Sequence, residues 1–350
     1  MKRVITALLA VCCLFMSGCR AEELQQFLIV TAIGVDKEKD DYKVTFEAVK
    51  GQAENAESIE PLLKKGEGVT LPRCLQNVQE TSGQYPYLRH ASILVVSESA
   101  ADDSLEHLFG YIRNEHNIML NTRLLLCEGE AADVFNDDSF LSTRIMKAST
   151  TGSETMATAD LMVKDFLYDL YADGIDAFIP LTSKEKTGGV AFLRDFSIAG
   201  KLEPRLTPAF LIVRNLANSG EIGVSGEGGF YSFRLLDSKS TLKTVISGEK
   251  AVISVSVKAS FRAEDVLYGD LSVYEKALKS RLESDIREVA DIMKTCRSDV
   301  FGAGQYLYRY KTDEWEKVKE NWADIFANSI FDVKVDASIK STGKIKEEQR

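Results

Sequence analysis

The sequence predicts a mixed α/β fold, in which β-sheets pack against α-helices, on three observations. Short β-branched runs alternate with amphipathic stretches over the first half of the chain. In the second half, longer β-rich runs are followed by helical patterns and a closing strand. With 350 residues, of which 45% are apolar, the chain can bury two or three separate cores.

Phe27–Gly34 is a near-continuous apolar run closed by glycine, the pattern of a buried strand. Tyr42–Ala48 alternates, predicting a strand with one wet face, and the charged Asp36–Asp41 segment between them predicts a hairpin loop. A helix over 71–82, a strand at Ser92–Val96, a helix at Leu105–Ile112 and a strand at Thr122–Leu126 continue the βαβ rhythm. Thr151-Gly152-Ser153-Glu154 fits a capping box that would open a helix running to about Tyr171. A strand is expected near Val190–Leu193, and the glycines from Gly220 to Gly229 read as a flexible boundary. Beyond them lie three β-rich runs: Phe230–Leu236, Leu242–Ile246 and Ala251–Phe261. Ser272-Val273-Tyr274-Glu275 is a second capping box. It opens the strongest helix of the chain, with Tyr274, Leu278, Leu282, Ile286, Val289 and Met293 on one face. One further helix carries Trp315, Val318, Trp322 and Ile325, and Phe331–Asp336 alternates as a terminal strand.

The first residues have a different purpose. Met1-Lys2-Arg3 precedes an uncharged stretch, Val4–Met16, that would make a helix of only ~20 Å, short of the ~30 Å hydrocarbon slab. It reads as a removable signal. Met16-Ser17-Gly18-Cys19 resembles a lipobox: Ser17 and Gly18 admit a peptidase, and the Cys19 thiol receives a diacylglycerol. Met16 stands where leucine is usual. Two or more acyl chains, at ~0.8 kcal/mol per buried methylene, hold a protein on a bilayer where one chain does not. With Lys2 and Arg3 removed, 41 cations face 53 acids, a net charge near −12. That excludes a basic nucleic-acid footprint and an electrostatic grip on anionic lipid, so the lipid on Cys19 must do the anchoring.

The chemistry of a catalytic or metal site is not legible. His90, His107 and His116 fall on three different elements without ligand spacing. Cys74, Cys127 and Cys296 are scattered and odd in number, which implies no disulfide framework. Gly223-Val224-Ser225-Gly226-Glu227 misses the last glycine of a nucleophile elbow, and no histidine follows it. The same glycines miss G-x-G-x-x-G, with Tyr231 in the third place. No cofactor, no metal and no enzymatic activity are expected. Trp315 and Trp322, seven residues apart, share a helix face and, with Phe301, are assigned to a core or a partner-contact surface.

The C-terminal third carries Asp299-Val300-Phe301-Gly302-Ala303-Gly304, then Trp315-Glu316-Lys317-Val318 through Asn321-Trp322-Ala323-Asp324-Ile325-Phe326, Val333-Lys334-Val335 and Thr342-Gly343. Upstream stand Ile33-Gly34-Val35-Asp36, His90-Ala91-Ser92-Ile93-Leu94-Val95-Val96, Ala100, Arg113, Asn121-Thr122, Gly129-Glu130-Ala131 and Gly189-Val190-Ala191-Phe192. This pattern closely resembles the Ger(x)C family, the lipoprotein C subunits of nutrient germinant receptors in endospore-forming bacteria. The chain departs from it at Arg20-Ala21, where Trp-Asp is common, at Ala303, where an aromatic is common, and in lacking a proline before Trp315.

The resemblance implies a three-domain lipoprotein, each domain a sheet with helices. The expected boundaries are a signal peptide at 1–18, an N-terminal domain at 19–183, a small middle domain at 184–228 and a C-terminal domain at 229–350. It implies a non-enzymatic subunit on the outer face of the spore inner membrane, partnered by membrane A and B subunits, that serves assembly or signalling. The competing readings are a solute-binding lipoprotein of a transporter, which would show two similar lobes around a ligand cleft, and a lipid-anchored hydrolase of the spore wall.

Overall fold

The computed structural model describes residues 26–49, 60–114, 118–136, 139–141, 143–145, 155–184, 186–217, 219–226, 229–265 and 270–342. The lipobox Met16–Cys19, the capping box at 151–154 and His116 lie outside them. Two sheets, each packed with helices, make up the molecule, as the mixed fold class requires.

The first sheet has nine strands. Strands β1 (Phe27–Glu38), β2 (Asp41–Val49) and β3 (Pro61–Gly68) form an antiparallel meander. Helix α1 (Leu71–Ser82) follows, started by the Thr70 side chain on the Arg73 N–H and ended by left-handed Gly83. Short β4 (Tyr85–Tyr87) pairs beside the start of β1. Strands β5 (Ile93–Ser97), β6 (Arg123–Cys127) and β7 (Phe178–Thr182) then continue parallel to β1. Helix α2 (Glu98–Asn114) makes the crossover from β5, and α3 (Val163–Tyr171) the crossover into β7. Strands β8 (Thr187–Arg194) and β9 (Ser197–Leu202) close the sheet as an antiparallel hairpin. β5 is buried on both faces: Leu94 and Val96 join the main core, and Ile93 and Val95 a smaller one with Phe135 and Leu141.

After α4 (Thr207–Val213), the second sheet runs β10 (Gly220–Gly226), β11 (Gly229–Ser247), β12 (Lys250–Ala263) and β13 (Ile330–Thr342). β12 and β13 are parallel, so the chain between them must cross over. It does so through α5 (Leu271–Cys296), α6 (Ala303–Tyr310), α7 (Thr312–Val318) and α8 (Trp322–Ala327). The six α5 positions read from the sequence as one face are all buried. The same helix covers the free edge of β13. Glu283 and Glu275 accept the N–H groups of Val335 (3.1 Å) and Ile339 (2.9 Å). Eight helical residues span ~12 Å and four strand residues ~13 Å, so the carboxylates and the amides keep step. The edge is closed to another strand.

Several elements differ from the sequence reading. β1 runs through Asp36 to Glu38, and Lys39 with positive φ makes the turn, so the expected loop is a tight hairpin. The second half of β2 is buried on both faces, because Leu141 and Ile145 join the small core on the side expected to be wet. There Glu47 is fully buried, accepting from the Thr31 hydroxyl (2.7 Å) and the Leu141 N–H (2.5 Å). The helix expected up to Tyr171 starts only at Val163: Leu161 accepts from the Leu124 N–H and Met162 bridges Arg123, pairing this stretch with β6 instead. Asp270, not Ser272, caps α5. Phe230–Leu236 and Leu242–Ile246 are one strand of 19 residues, bent by a bulge between Leu235 and Asp237. The glycines from Gly220 form strand β10 rather than a flexible boundary. The 184–228 segment, expected as a small middle domain, is shared out: β8 and β9 extend the first sheet, and β10 begins the second. Hydrogen bonding across a sheet is longer-range information than glycine content.

Candidate functional site

The two halves of the molecule meet around Asp299, in the turn after α5. Arg297 ends that helix in a left-handed conformation, and Ser298 plugs into the first sheet by donating to the Leu193 carbonyl (2.5 Å). Asp299 follows, with 1% of its surface exposed. Its Oδ1 accepts from the N–H groups of Gly302 and Ala303 (both 3.0 Å); its Oδ2 accepts from Gly304 N–H (2.7 Å) and Trp322 Nε1–H (3.0 Å). A carboxylate has about four lone-pair sites, and all are filled. Asp299 is therefore a structural hub that starts α6.

The hub is bolted to the loop between α3 and β7. Asp176 Oδ2 accepts from Asp299 N–H (2.6 Å), and Asp176 N–H donates to the Asp299 carbonyl (3.0 Å). Two residues before Asp176, the Gly174 carbonyl accepts from Gln305 N–H (2.5 Å). Gly174 has φ +74°, and a Cβ there would lie 2.3 Å from the Gly304 carbonyl carbon. The backbones touch because Gly174 carries no Cβ. Burial pushes the Asp299 carboxyl up to about 7 against the pull of its N–H donors, and the Asp176 carboxyl up to about 6. Beside them Arg214 binds Asp169 (2.6 Å) and the Val300 carbonyl (2.7 Å), with its guanidinium over the Phe178 ring. Burial raises Asp169, and Arg214 opposes the rise.

Phe301, Trp315 and Trp322 are 8%, 5% and 7% exposed. They stand on one aromatic path. Phe301 stacks on Phe210 (6.1 Å) and meets Phe331 edge-on (6.4 Å); Phe331 reaches Phe326 (6.1 Å), Phe326 reaches Trp322 (6.1 Å), and Trp322 reaches Trp315 (5.8 Å). The single helix expected to carry both tryptophans is broken by a 3-10 turn at Lys319–Asn321. Gly304 is what lets them close: its absent Cβ would lie 2.6 Å from Trp322 Nε1 and 2.9 Å from the Trp315 ring. Asp176, Gly174 and Arg214 carry no sequence signal beyond the Asp173-Gly174-Ile175-Asp176 turn composition.

The other quoted segments also prove to be joints. Asp36 accepts from Ala131 N–H (2.6 Å) and Ala132 N–H (3.0 Å), tying the end of β1 to the turn after β6. Gly34 leaves room for the Phe135 ring, 2.7 Å from where its Cβ would be. Thr122 donates to the Ala91 carbonyl (2.8 Å). Two clefts flank these joints. One of about 900 Å³ opens where β1 and β2 meet, among Lys43, Lys65, Glu67, Glu98 and Glu130; one of about 420 Å³ lies over Asp176 and Trp322, with Arg194, Arg297 and Lys319. Among the described residues no cluster of His, Cys, Asp and Glu is placed to hold a metal, and no helix is long and apolar enough to cross a membrane. Cys74 and Cys127 are buried free thiols, pushed up to about 11 and about 12 by burial.

Comparison with known proteins covers the chain almost end to end. Residues 20–184 match the family described as spore germination protein N-terminal domain, and residues 187–343 the one described as spore germination B3/GerAC like, C-terminal. Spore germination protein B3 of Bacillus subtilis (strain 168) is 23% identical over 95% of this chain and 94% of its own length. Spore germination protein KC of the same organism is 33% identical over 25% of this chain and 21% of its own length. A solved structure, the crystal structure of the GerBC protein, superposes with a TM-score of 0.61 at 20% identity, over 88% of this chain and 97% of that one. That likeness shows a shared fold.

Proposed function

The chain belongs to the Ger(x)C family of spore germination proteins, the C subunits of germinant receptors, and from that premise we propose that it is a lipid-anchored, non-enzymatic receptor subunit. It would be held by acyl chains on Cys19 at the outer face of the spore inner membrane, beside membrane A and B subunits, and act in assembly or signalling. The observation that carries the reading is the continuous match of both halves, 20–184 and 187–343, to spore germination families. The site geometry supports it. The buried polar groups at the junction are spent on joining two sheets into one body, which suits a subunit that relays contacts rather than turning over a substrate.

The test is deletion of the gene, with complementation by wild type and by Cys19→Ala. Spores of the deletion strain should lose their response to at least one nutrient while still germinating with a trigger that bypasses receptors. Wild type should restore the response and incorporate labelled fatty acid; Cys19→Ala should do neither and should leave the membrane fraction. Unchanged nutrient responses in the deletion strain would refute the receptor role, and unchanged labelling and fractionation of Cys19→Ala would refute the anchor.

A further inference from the structure

The geometry points to one end of the first sheet as the face that lies against the bilayer: the end where β1 and β4 begin at Phe27 and Tyr85 and where, from the level of Ala32 on β1, β5 and β6 begin, presenting Tyr85, Met119 and Leu120 to the lipid interface. This rests on the anchoring reading above, and adds which surface the anchor presses down.

The length of chain before the described residues sets the reach. Seven residues, Arg20–Gln26, separate Cys19 from Phe27, so eight steps of chain, fully extended, span at most ~29 Å. From Phe27, β1 runs to Glu38, eleven residues further on, a rise of ~36 Å at ~3.3 Å per residue. An upright body inverted so that the Glu38 end met the bilayer would lift Phe27 beyond the tether. The Phe27 end is therefore the near end.

That end has the chemistry of an interface. Phe27 makes edge-on contacts with Tyr85 (6.3 Å) and Tyr87 (5.7 Å), and Tyr87 packs on His90 (5.5 Å). Tyr85 is 46% exposed, and in the turn that enters β6 Met119 and Leu120 are 44% and 49% exposed. The backbone of that turn is fixed: the Met119 carbonyl accepts from Thr122 N–H (3.0 Å) and the Leu120 carbonyl from Lys164 N–H (2.9 Å). Two large apolar side chains are thus held outward on a hydrogen-bonded turn, which lowers the cost of ordering them on insertion. Tyrosines with an apolar body and a polar tip are what membrane–water interfaces select. The opposite end of the sheet presents exposed Lys39, Asp40, Asp41, Glu67 and Glu130, with Val69 the one large exposed apolar residue there among those described. That end would stay in water.

The experiment uses the lipidated full chain in vesicles of phosphatidylethanolamine and phosphatidylglycerol. Leu120→Cys, Tyr85→Cys and Asp40→Cys are each made with Cys296→Ser and labelled with an environment-sensitive maleimide; buried Cys74 and Cys127, with their raised thiols, stay unlabelled. Lipids carrying a nitroxide near the top of the acyl chain should quench the labels at positions 120 and 85 roughly twofold or more and blue-shift them, leaving position 40 unchanged. Equal quenching at all three positions, quenching only at position 40, or none at all on a protein that still carries lipid and floats with the vesicles would overturn this face while leaving the anchor intact. A label at position 120 that is shielded from water but not quenched would assign the patch to a protein contact and also overturn it. Absence of lipid on the wild-type chain would overturn the anchor and this face together.

Discussion

The indole N–H of Trp322 donates to the buried carboxylate of Asp299 at 3.0 Å, joining the start of α8 to the turn that starts α6. This bond links the aromatic path to the polar joint, because the same carboxylate orients the Gly302–Gly304 backbone that packs under both tryptophans.

Removing that carboxylate strands four N–H donors in a dry site. An unsatisfied buried donor costs ~1–3 kcal/mol, and neighbours relax to recover part of it. Asp299→Ala is expected to lose about 4 kcal/mol of unfolding free energy by urea titration, and Asp299→Asn about half as much, since one amide oxygen still accepts. A loss below about 1 kcal/mol for the alanine variant would show that Asp299 is not the hub.

Trp322→Ala removes a buried ring as well as one donor, with an expected cost of ~3–5 kcal/mol. The receptor should become scarcer in spores without any change in which nutrients are sensed. Trp322→Phe should recover most of the stability, leaving only the cost of one Oδ2 lone pair without its donor, since Gly304 N–H still binds that oxygen. A Trp322→Ala protein that melts normally yet loses the response to a single nutrient would make the residue a recognition group.

The acid pair gives stability a pH dependence. Asp176 and Asp299 both have folded values raised above 3.8, to about 6 and about 7, so between pH 4 and pH 7 the folded state holds more protons than the unfolded chain. Their contribution is therefore full below about pH 4 and is lost as pH rises through the folded values. Unfolding free energy should fall between pH 5 and pH 7.5 by an amount on the order of 4 kcal/mol. Asp176→Asn keeps an acceptor for the Asp299 N–H and should flatten the slope. A slope that is the same in Asp176→Asn and wild type would remove Asp176 from the account.

Two left-handed glycines separate conformational strain from steric conflict. At Gly83, φ +71°, a Cβ meets nothing within 4 Å; at Gly174, φ +74°, it meets the Gly304 backbone at 2.3 Å. Gly83→Ala should cost about 1 kcal/mol. Gly174→Ala must also push the two halves apart and should cost at least ~3 kcal/mol. Thermal melts of the two variants compare them directly, and equal shifts would mean that the contact at Gly174 is not needed.

What repeats locally is legible in the sequence. The period of α5 sets its buried face from Tyr274 to Met293, and the alternating strand and helix patterns set the mixed fold class. Helix and strand periods are set by backbone geometry, so they are written into neighbouring residues. Contacts between distant segments are what set Asp176 against Asp299, 123 residues away in sequence, bury Glu47 under Leu141, and put β8 and β9 in the first sheet while β10 opens the second. A buried carboxylate looks like a surface one in the sequence. Its partners are distant backbone N–H groups, which every residue type except proline carries, and only the folded chain shows which of them come within reach.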